Sequence, residues 1–336
     1  MIYYIYTLKF FAPVHFGDSA NGGNLDKVSM VCSADTYFSA LINEAGIMES
    51  ENVPGLINKF QSGDIVISSL FPYYNEDDKL QFYLPKPVIS AGESKTEIKN
   101  FQEMKKMATK MKKSKKYLYV RASEIEKFLS SIKYNKVFEA ETPVFAVPLN
   151  TQKVNCRYDE PLPYFVGGYR FSDNTGLYFI AGFKNEADIE SFNLLVESLG
   201  YSGIGGKKSS GFGKYELSDD PIEISEEDYI YDDDLALAKM LKNGNFDLYM
   251  SIAPVSPAVT DIETVKKGAY KIIKRSGFVY SAASDNDVKK NDVYMIAEGS
   301  TFPSKIEGKL IQEHFEHLKH NVYRNGMGLF VGLDYE

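Results

Sequence analysis

The sequence predicts an α+β protein built from two ferredoxin-like domains, and three observations lead there. The first two hundred residues read as strand, helix, two strands, helix and strand, with a long insertion. A strand closed by Ala-Pro-Val occurs twice, at Ala12-Pro13-Val14 and at Ala253-Pro254-Val255. Each half also carries a glycine-rich element late, Gly203 to Gly213 in the first and Gly326, Gly328 and Gly332 in the second. With 336 residues and 44% apolar content, the chain is long enough for two cores.

In order, Ile2 to Phe10 is an aromatic, β-branched strand stopped by Ala12-Pro13 and followed by a polar loop running to Asp26. Ser33 or Asp35 is expected to cap a helix from about Thr36 to Glu44, whose Phe38, Leu41 and Ile42 share one face. Val66 to Leu70 and Gln81 to Leu84 read as short paired strands joined by the acidic turn Asn75 to Lys79. An insertion of about 85–183 follows. It includes Met104 to Lys116, seven lysines with no acid, read as a helix with a basic face or as a mobile loop. Those lysines suit a solvated face and a polyanion contact equally well. A capped helix starts at Ser123, Val144 to Arg157 is extended, and Phe165 to Phe171 is expected to form a hairpin with Leu177 to Phe183. The helix Asp188 to Leu199, the glycine loop and a strand from Phe212 to Leu217 complete a first domain of residues 1–217.

An acidic connector, 218–238, precedes a second, degenerate domain of residues 239–336. There Asp247 to Ala253, Ala269 to Ile273, Gly277 to Tyr280 and Asp292 to Ala297 read as strands. Ser304 to His317 reads as a helix or lid, and Val322 to Leu333 as a closing strand.

The net charge of −8 is local. Residues 1–213 hold 24 basic and 24 acidic groups, 214–236 one against ten, and 237–336 thirteen against twelve, so the connector carries the imbalance and the overall charge does not exclude a polyanion ligand. The connector is most simply a solvated linker, or it faces a basic surface on a partner. Cys32 and Cys156 stand in no ligand-spaced pattern, which suits reduced thiols in a cytosolic protein. Met1 to Leu8 is too short to span a membrane and lacks the basic flank of a signal peptide, so neither secretion nor membrane insertion is expected.

The glycine loop, Gly-Ile-Gly-Gly-Lys-Lys-Ser-Ser-Gly-Phe-Gly from Gly203 to Gly213, follows a helix and precedes a strand. Walker loops and dinucleotide fingerprints have the opposite order. Lys208 also stands where the first needs Ser or Thr and the second needs a third glycine. What remains is a run of backbone N–H groups with Lys207, Lys208, Ser209 and Ser210, suited to a polyanion lying across the loop. The plainer reading is a flexible loop whose glycines only supply positive φ.

The strand, polar loop and capped helix, with a late glycine loop before the last strand of the first domain, resemble the RAMP superfamily of CRISPR-associated RNA-binding proteins. Pro13-Val14-His15-Phe16-Gly17, Ser33 to Leu41 and the ending His320 to Gly326 narrow the resemblance to a Cas5-group family, the fourth subunit of the type III-A (Csm) effector complex. The resemblance implies two RRM-like domains and a non-catalytic subunit without cofactor. It also implies a role in holding the 5′ handle of the CRISPR guide RNA (crRNA), with the Cas10-type large subunit and a backbone RAMP subunit as neighbours. Residue by residue, it implies RNA contacts at Gly203, Gly205, Gly206, Lys207, Lys208, Ser209, Ser210, Gly211 and Gly213. It implies further contacts at His15, Phe16 and Gly17 after the first strand, at Asn155 and Arg157 at the base of a thumb-like hairpin, and at Tyr323 and Arg324. The last two either touch RNA or brace the domains.

Catalysis has weaker grounds. Backbone RAMP subunits place an Asp after the first strand, but Asp35 is accounted for by capping, and only position supports Asp18 and Asp26. His15 is the natural base if the chain were instead a metal-independent endoribonuclease that processes precursor guide RNA. An interaction scaffold without RNA is the third reading, and it leaves the lysines of the glycine loop unexplained. His314, His317 and His320, at steps of three on a helix, diverge too far to converge on a metal.

Overall fold

In a computed structural model, the chain folds into helices packed on antiparallel strands; residues 1–17, 24–48, 53–89, 109, 116–134, 136–156, 160–280, 288–316 and 318–335 are described. Asp18, Arg157, His317 and the lysine-rich segment, Thr109 and Lys116 aside, lie outside them. The first part contains β1 (Ile2–Phe10), β2 (Phe16–Gly17), β3 (Val28–Ser29), α1 (Ala34–Met48), α2 (Val53–Gln61), β4 (Ile65–Ile67), β5 (Phe71–Glu76) and β6 (Lys79–Pro85). It continues with β7 (Tyr119–Arg121), α3 (Ile125–Lys133), β8 (Ala146–Asn155), β9 (Leu162–Phe171), β10 (Thr175–Phe183), α4 (Ala187–Ser202), β11 (Tyr215–Leu217) and β12 (Ile222–Glu223). The remainder holds α5 (Asp232–Leu241), β13 (Leu248–Ser251), α6 (Ile262–Val265), β14 (Ile272–Arg275), β15 (Val293–Ile296), β16 (Thr301–Phe302), β17 (Ile311–Glu313), β18 (Val322–Arg324) and β19 (Phe330–Leu333).

One eight-stranded sheet runs β11-β1-β10-β5-β6-β7, with β12 also on β1 and β4 also on β10. Every residue of β10 is buried, so both of its faces are covered. On one face Phe179 stacks on Tyr6 at 4.8 Å and meets Tyr37 of α1, while Phe183 meets Phe192 of α4. On the other, Tyr178 packs against Phe71 and Phe82, and its hydroxyl donates to the Tyr83 carbonyl.

The opposite layer includes α5. Its Asp233 is fully buried and accepts hydrogen bonds from the Phe82 and Ser123 N–H groups, both at 2.9 Å, and from Arg121 Nε. Asp234 accepts from the N–H groups of Ile230 and Tyr231, closing the start of the helix. The segment expected to be a solvated connector is therefore fastened at two places: by these carboxylates, and by β12, which pairs Glu223 with Tyr4. Its longest exposed run is Glu226 to Ile230.

Beyond α5, β13 lies between β16 and β19. Met250, Val331 and Leu333 of this small sheet enter the same buried cluster as the large one. Val255, Ile296, Phe302, Ile306 and Phe330 form a second cluster, and Val279, Leu318 and Val322 a third. The Ser69 N–H donates to the Ile252 carbonyl and the Val88 N–H to the Gly299 carbonyl, stitching the two parts together.

Several expectations are corrected. The thumb-like hairpin is β8 with β9, paired from Ala146–Phe171 to Asn155–Leu162; Leu177 to Phe183 belongs to β10, inside the main sheet and not in an insertion. The partner of β6 is β5, not Val66 to Leu70, through a turn at Asp77 and Asp78, both at positive φ. Asp35 does not cap α1; its carboxylate is engaged by Arg275. Ser304 to His317 contains a strand, β17, rather than a helix, and the closing strand is split into β18 and β19. Helix α2 had no counterpart in the sequence reading.

Replacing Asp233 with Ala strands Arg121, the buried Phe82 N–H and the Ser123 N–H, and is expected to lower unfolding stability by about 3–5 kcal/mol. Urea titration followed by circular dichroism measures this, and an unchanged midpoint would exclude the anchoring role.

Candidate nucleic-acid interface

The glycine loop leaves α4 at Gly203 and folds back over the segment that follows β1. The Gly206 N–H donates to the His15 carbonyl at 2.8 Å, and the Gly213 N–H to the Pro13 carbonyl at 2.7 Å. Two glycines are required by this approach. A Cβ on Gly206 would sit 2.6 Å from His15 Cδ2, and one on Gly213, at φ +77°, would run into the Ile204 carbonyl. Lys207 itself adopts left-handed backbone, and Lys208 to Ser210 form a single 3-10 turn, so the loop has a defined shape rather than the featureless one composition alone allowed.

The loop's cations are held over aromatic rings from two other elements. Lys207 Nζ lies 5.6 Å from the ring centre of Tyr164 in β9, and Lys208 Nζ lies 4.4 Å from that of Tyr280. Burial pushes the Lys208 ammonium below its usual range, partly offset by Glu44. Lys153 of β8 stands over Phe212 at 5.7 Å. The loop thus bridges the thumb-like hairpin and the C-terminal part.

His15 is buried beneath the loop, and its Nδ1 donates to the Gly167 carbonyl at 2.8 Å, leaving Nε2 as the acceptor of a neutral ring. Burial lowers its pKa, with the Gly167 hydrogen bond opposing and Lys207 adding to the effect. Phe16 is buried and Gly17 exposed.

These groups border a groove of about 1620 Å³ that runs from the glycine loop to the C-terminal strands. His15, Phe16, Gly17, Gly205, Gly206, Lys207, Lys208, Ser209, Tyr323 and Arg324 all line it, so the fold brings together residues far apart in sequence. Ser210, Gly203, Gly211 and Gly213 shape the loop without lining the groove. Asn155 is elsewhere, at the far end of β8 where the hairpin turns, and not at its base.

Arg324 is nearly inaccessible; it donates to Glu313 Oε2 at 3.1 Å and to the Asn291 carbonyl at 2.7 Å, which makes it a brace within the C-terminal part. Tyr323 packs at the edge of the main core. Arg324 is thus tied to its own part of the chain, and of the pair Tyr323 is the one that meets the core shared by both parts.

Sequence reading missed the other cations of the groove. Arg275 grips Asp35 through two contacts, Nε to Oδ2 at 2.9 Å and a terminal nitrogen to Oδ1 at 2.7 Å, and also reaches the Thr36 hydroxyl. Lys290 also lines the groove, its ammonium pushed below its usual range by burial and by Arg324, against Asp35. Neither residue sits in a motif, and only folding brings them opposite α1. His314 and His320 each bond to Asn321, and among the described residues no group of three or more His, Cys, Asp or Glu side chains is placed to hold a metal ion. No helix among them is long and apolar enough to cross a membrane.

Comparison with known proteins agrees with this architecture over the full chain. The family model of the CRISPR Csm4 C-terminal domain matches residues 244–333. A Streptococcus thermophilus protein described as CRISPR system Cms protein Csm4 is 31% identical over 340 residues, covering 99% of this chain and 100% of its own. A Mycobacterium tuberculosis protein of the same description is 28% identical, covering 96% and 95%. In fold, the chain resembles one in a crystal structure of the Csm3–Csm4 subcomplex of the type III-A CRISPR-Cas interference complex, with TM-score 0.60 and 15% identity over 99% of this chain and 100% of that one. It likewise resembles a chain of a Csm1–Csm4 cassette crystallised with pppApA, with TM-score 0.59 and 18% identity over 100% and 98%.

Because the folded state favours neutral His15, its contribution to stability is complete above the ordinary pKa of 6.5 and declines as pH falls below it. Melting temperature measured from pH 7.5 to 5 is expected to fall less steeply in His15→Asn, which keeps a donor near Nδ1; equal slopes would refute the assignment.

Proposed function

The chain belongs to the Csm4 family, and on that premise we propose that it is the RNA-binding subunit holding the 5′ handle of the crRNA at one end of a type III-A interference complex. It joins the Cas10-type large subunit to the backbone RAMP subunits in cytoplasmic antiviral defence. Chains of like fold crystallised with Csm1 and with Csm3 support these two partners. The observation that carries the RNA reading is the groove itself. Lys207, Lys208 and Ser209 from the glycine loop, residues 15–17 after β1, and a set of cations and aromatic rings from the C-terminal part meet along it. Ammonium groups there neutralise phosphates, and the tight turn at Lys208 to Ser210 offers the Ser209 hydroxyl to the same backbone.

The same reading treats the subunit as non-catalytic. His15 is packed under the loop and spends Nδ1 on Gly167, an arrangement that supports a positioning role for the loop rather than proton transfer to a ribose. Asp35 is neutralised by Arg275. Residues 1–217 are read as a ferredoxin-like domain. In it β1-α1-β4 and β10-α4-β11 interleave, β1 beside β10, with β5 to β9 inserted between them. Residues 239–336 are read as a second, degenerate copy, joined by the segment 218–238.

Exchanging Lys207 and Lys208 for Glu is expected to strip most of the guide RNA from the purified complex, or to leave its handle open to nuclease. Guide content at the wild-type level, with the handle still protected, would sink the loop assignment. Binding of guide RNA by the lone subunit should weaken at least about 10-fold between 50 and 200 mM salt, as fits several phosphate contacts.

A further inference from the structure

The segment after β14 forms a short antiparallel ribbon in which Phe278 bridges to Lys289, the Val279 N–H donates to the Val288 carbonyl at 2.7 Å, and the Lys290 N–H donates to the Gly277 carbonyl at 2.9 Å. Alternation along an extended strand sends neighbouring side chains to opposite faces. Val279 points inward, into the cluster with Leu318 and Val322. Phe278 and Tyr280 therefore share the outer face, and they are 61% and 63% exposed. Two adjacent aromatic rings left in water are not explained by folding, which gains by covering them.

Their surroundings specify a ligand. Both rings line the groove that holds the glycine loop. Lys208 reaches across it from the first part of the chain and covers one face of Tyr280, its Nζ 4.4 Å from the ring centre, which leaves the other face open. Lys289, directly opposite Phe278 in the ribbon, is exposed on the same side. Residues two apart in a strand are separated by about 6.6 Å, room for bases that have been drawn apart from one another. Rings interleaved with lysines are the chemistry by which proteins hold single-stranded nucleic acid: the rings take base faces and the ammonium groups take phosphates. A purely apolar protein partner would have no use for the lysines at each ring.

We infer that Phe278 and Tyr280 form a stacking platform for unpaired bases of the single-stranded RNA whose backbone lies on the glycine loop. This rests on the RNA-binding reading above and adds to it the place where bases, rather than phosphates, are engaged. Lys208 belongs to both contacts, since it covers Tyr280 and belongs to the glycine loop.

The test uses the assembled complex loaded with guide RNAs that carry 2-aminopurine at single handle positions. In the wild-type complex, emission is expected to be quenched at one or two positions. Phe278→Ala with Tyr280→Ala should relieve that quenching and weaken guide binding about 10-fold, while Phe278→Tyr with Tyr280→Phe should retain both. Both rings are exposed, so their replacement leaves the buried clusters intact. A guide bound as tightly by the alanine variant, with no position responding to it, overturns the platform. Loss of a protein subunit from the complex without any change in emission overturns it in favour of protein docking. Lys207→Glu with Lys208→Glu separates the two levels: if that variant loses the guide and the alanine variant does not, only the platform fails, and if neither does, the RNA reading itself fails.

Discussion

Strand β10 is buried on both faces along its whole length, and that requirement fixes where most of the chain must go. It must lie inside the sheet, between β1 on one side and β4 and β5 on the other, with α1 and α4 covering one face and α5 with the small sheet covering the opposite layer. Rings that pack against it, Tyr6, Tyr37, Phe71, Phe82 and Phe192, come from five different elements. Because β1 and β10 are locked in register, the loop after β1 and the end of β9 are delivered to the same edge. There the Val14 and Tyr169 backbones exchange hydrogen bonds. The glycine loop then has one surface to close against, and it does so through backbone groups that tolerate no side chain between them.

The groove depends on that closure and on a second contact, the bidentate pair of Asp35 and Arg275. The carboxylate comes from the first turn of α1 and the guanidinium from β14, 240 residues later. A planar fork meeting a carboxylate fixes orientation as well as distance, so this contact sets how β14 and the ribbon beyond it face the glycine loop. Among the described residues, Lys290 and the two loop lysines are the lysines and arginines of the groove with no salt bridge to a carboxylate. Charge is thereby concentrated where the acidic run at 219–234 is not. Two of those acids, Asp233 and Asp234, are consumed in fastening α5, so the overall charge of −8 describes the surface of another region.

The Csm4 family gives this geometry its context, and the geometry distributes the labour among residues that a motif treats alike. Lys207 and Lys208 point into the groove over aromatic rings, while Gly203, Gly211 and Gly213 shape the turn. Arg324, chosen from the same C-terminal motif as Tyr323, is spent on Glu313 inside the protein. Histidine 15 keeps its place in the site but as a neutral, covered ring.

Sequence by itself determined what local chemistry controls: the opening strand, the helices after Ser33 and Glu186, and the position of a lysine-bearing glycine loop between a helix and a strand; the family came from short motifs that resemble known members. The strand, helices and loop follow from periodicity, capping and short-range spacing, which act within a few residues. Tertiary structure alone decided the pairings. Phe165 to Phe171 and Leu177 to Phe183 look like one hairpin because they flank a good turn, yet β9 pairs backward with β8, since β10 gains more by burial between β1 and β5. Asp35 looks like a cap because of its place before a helix, yet a cation from a distant strand claims it. Phe278, Tyr280, Arg275 and Lys290 carry no local signal that places them at the groove. Their roles come from what they face across the groove, and that is set by long-range packing that spacing along the chain does not encode.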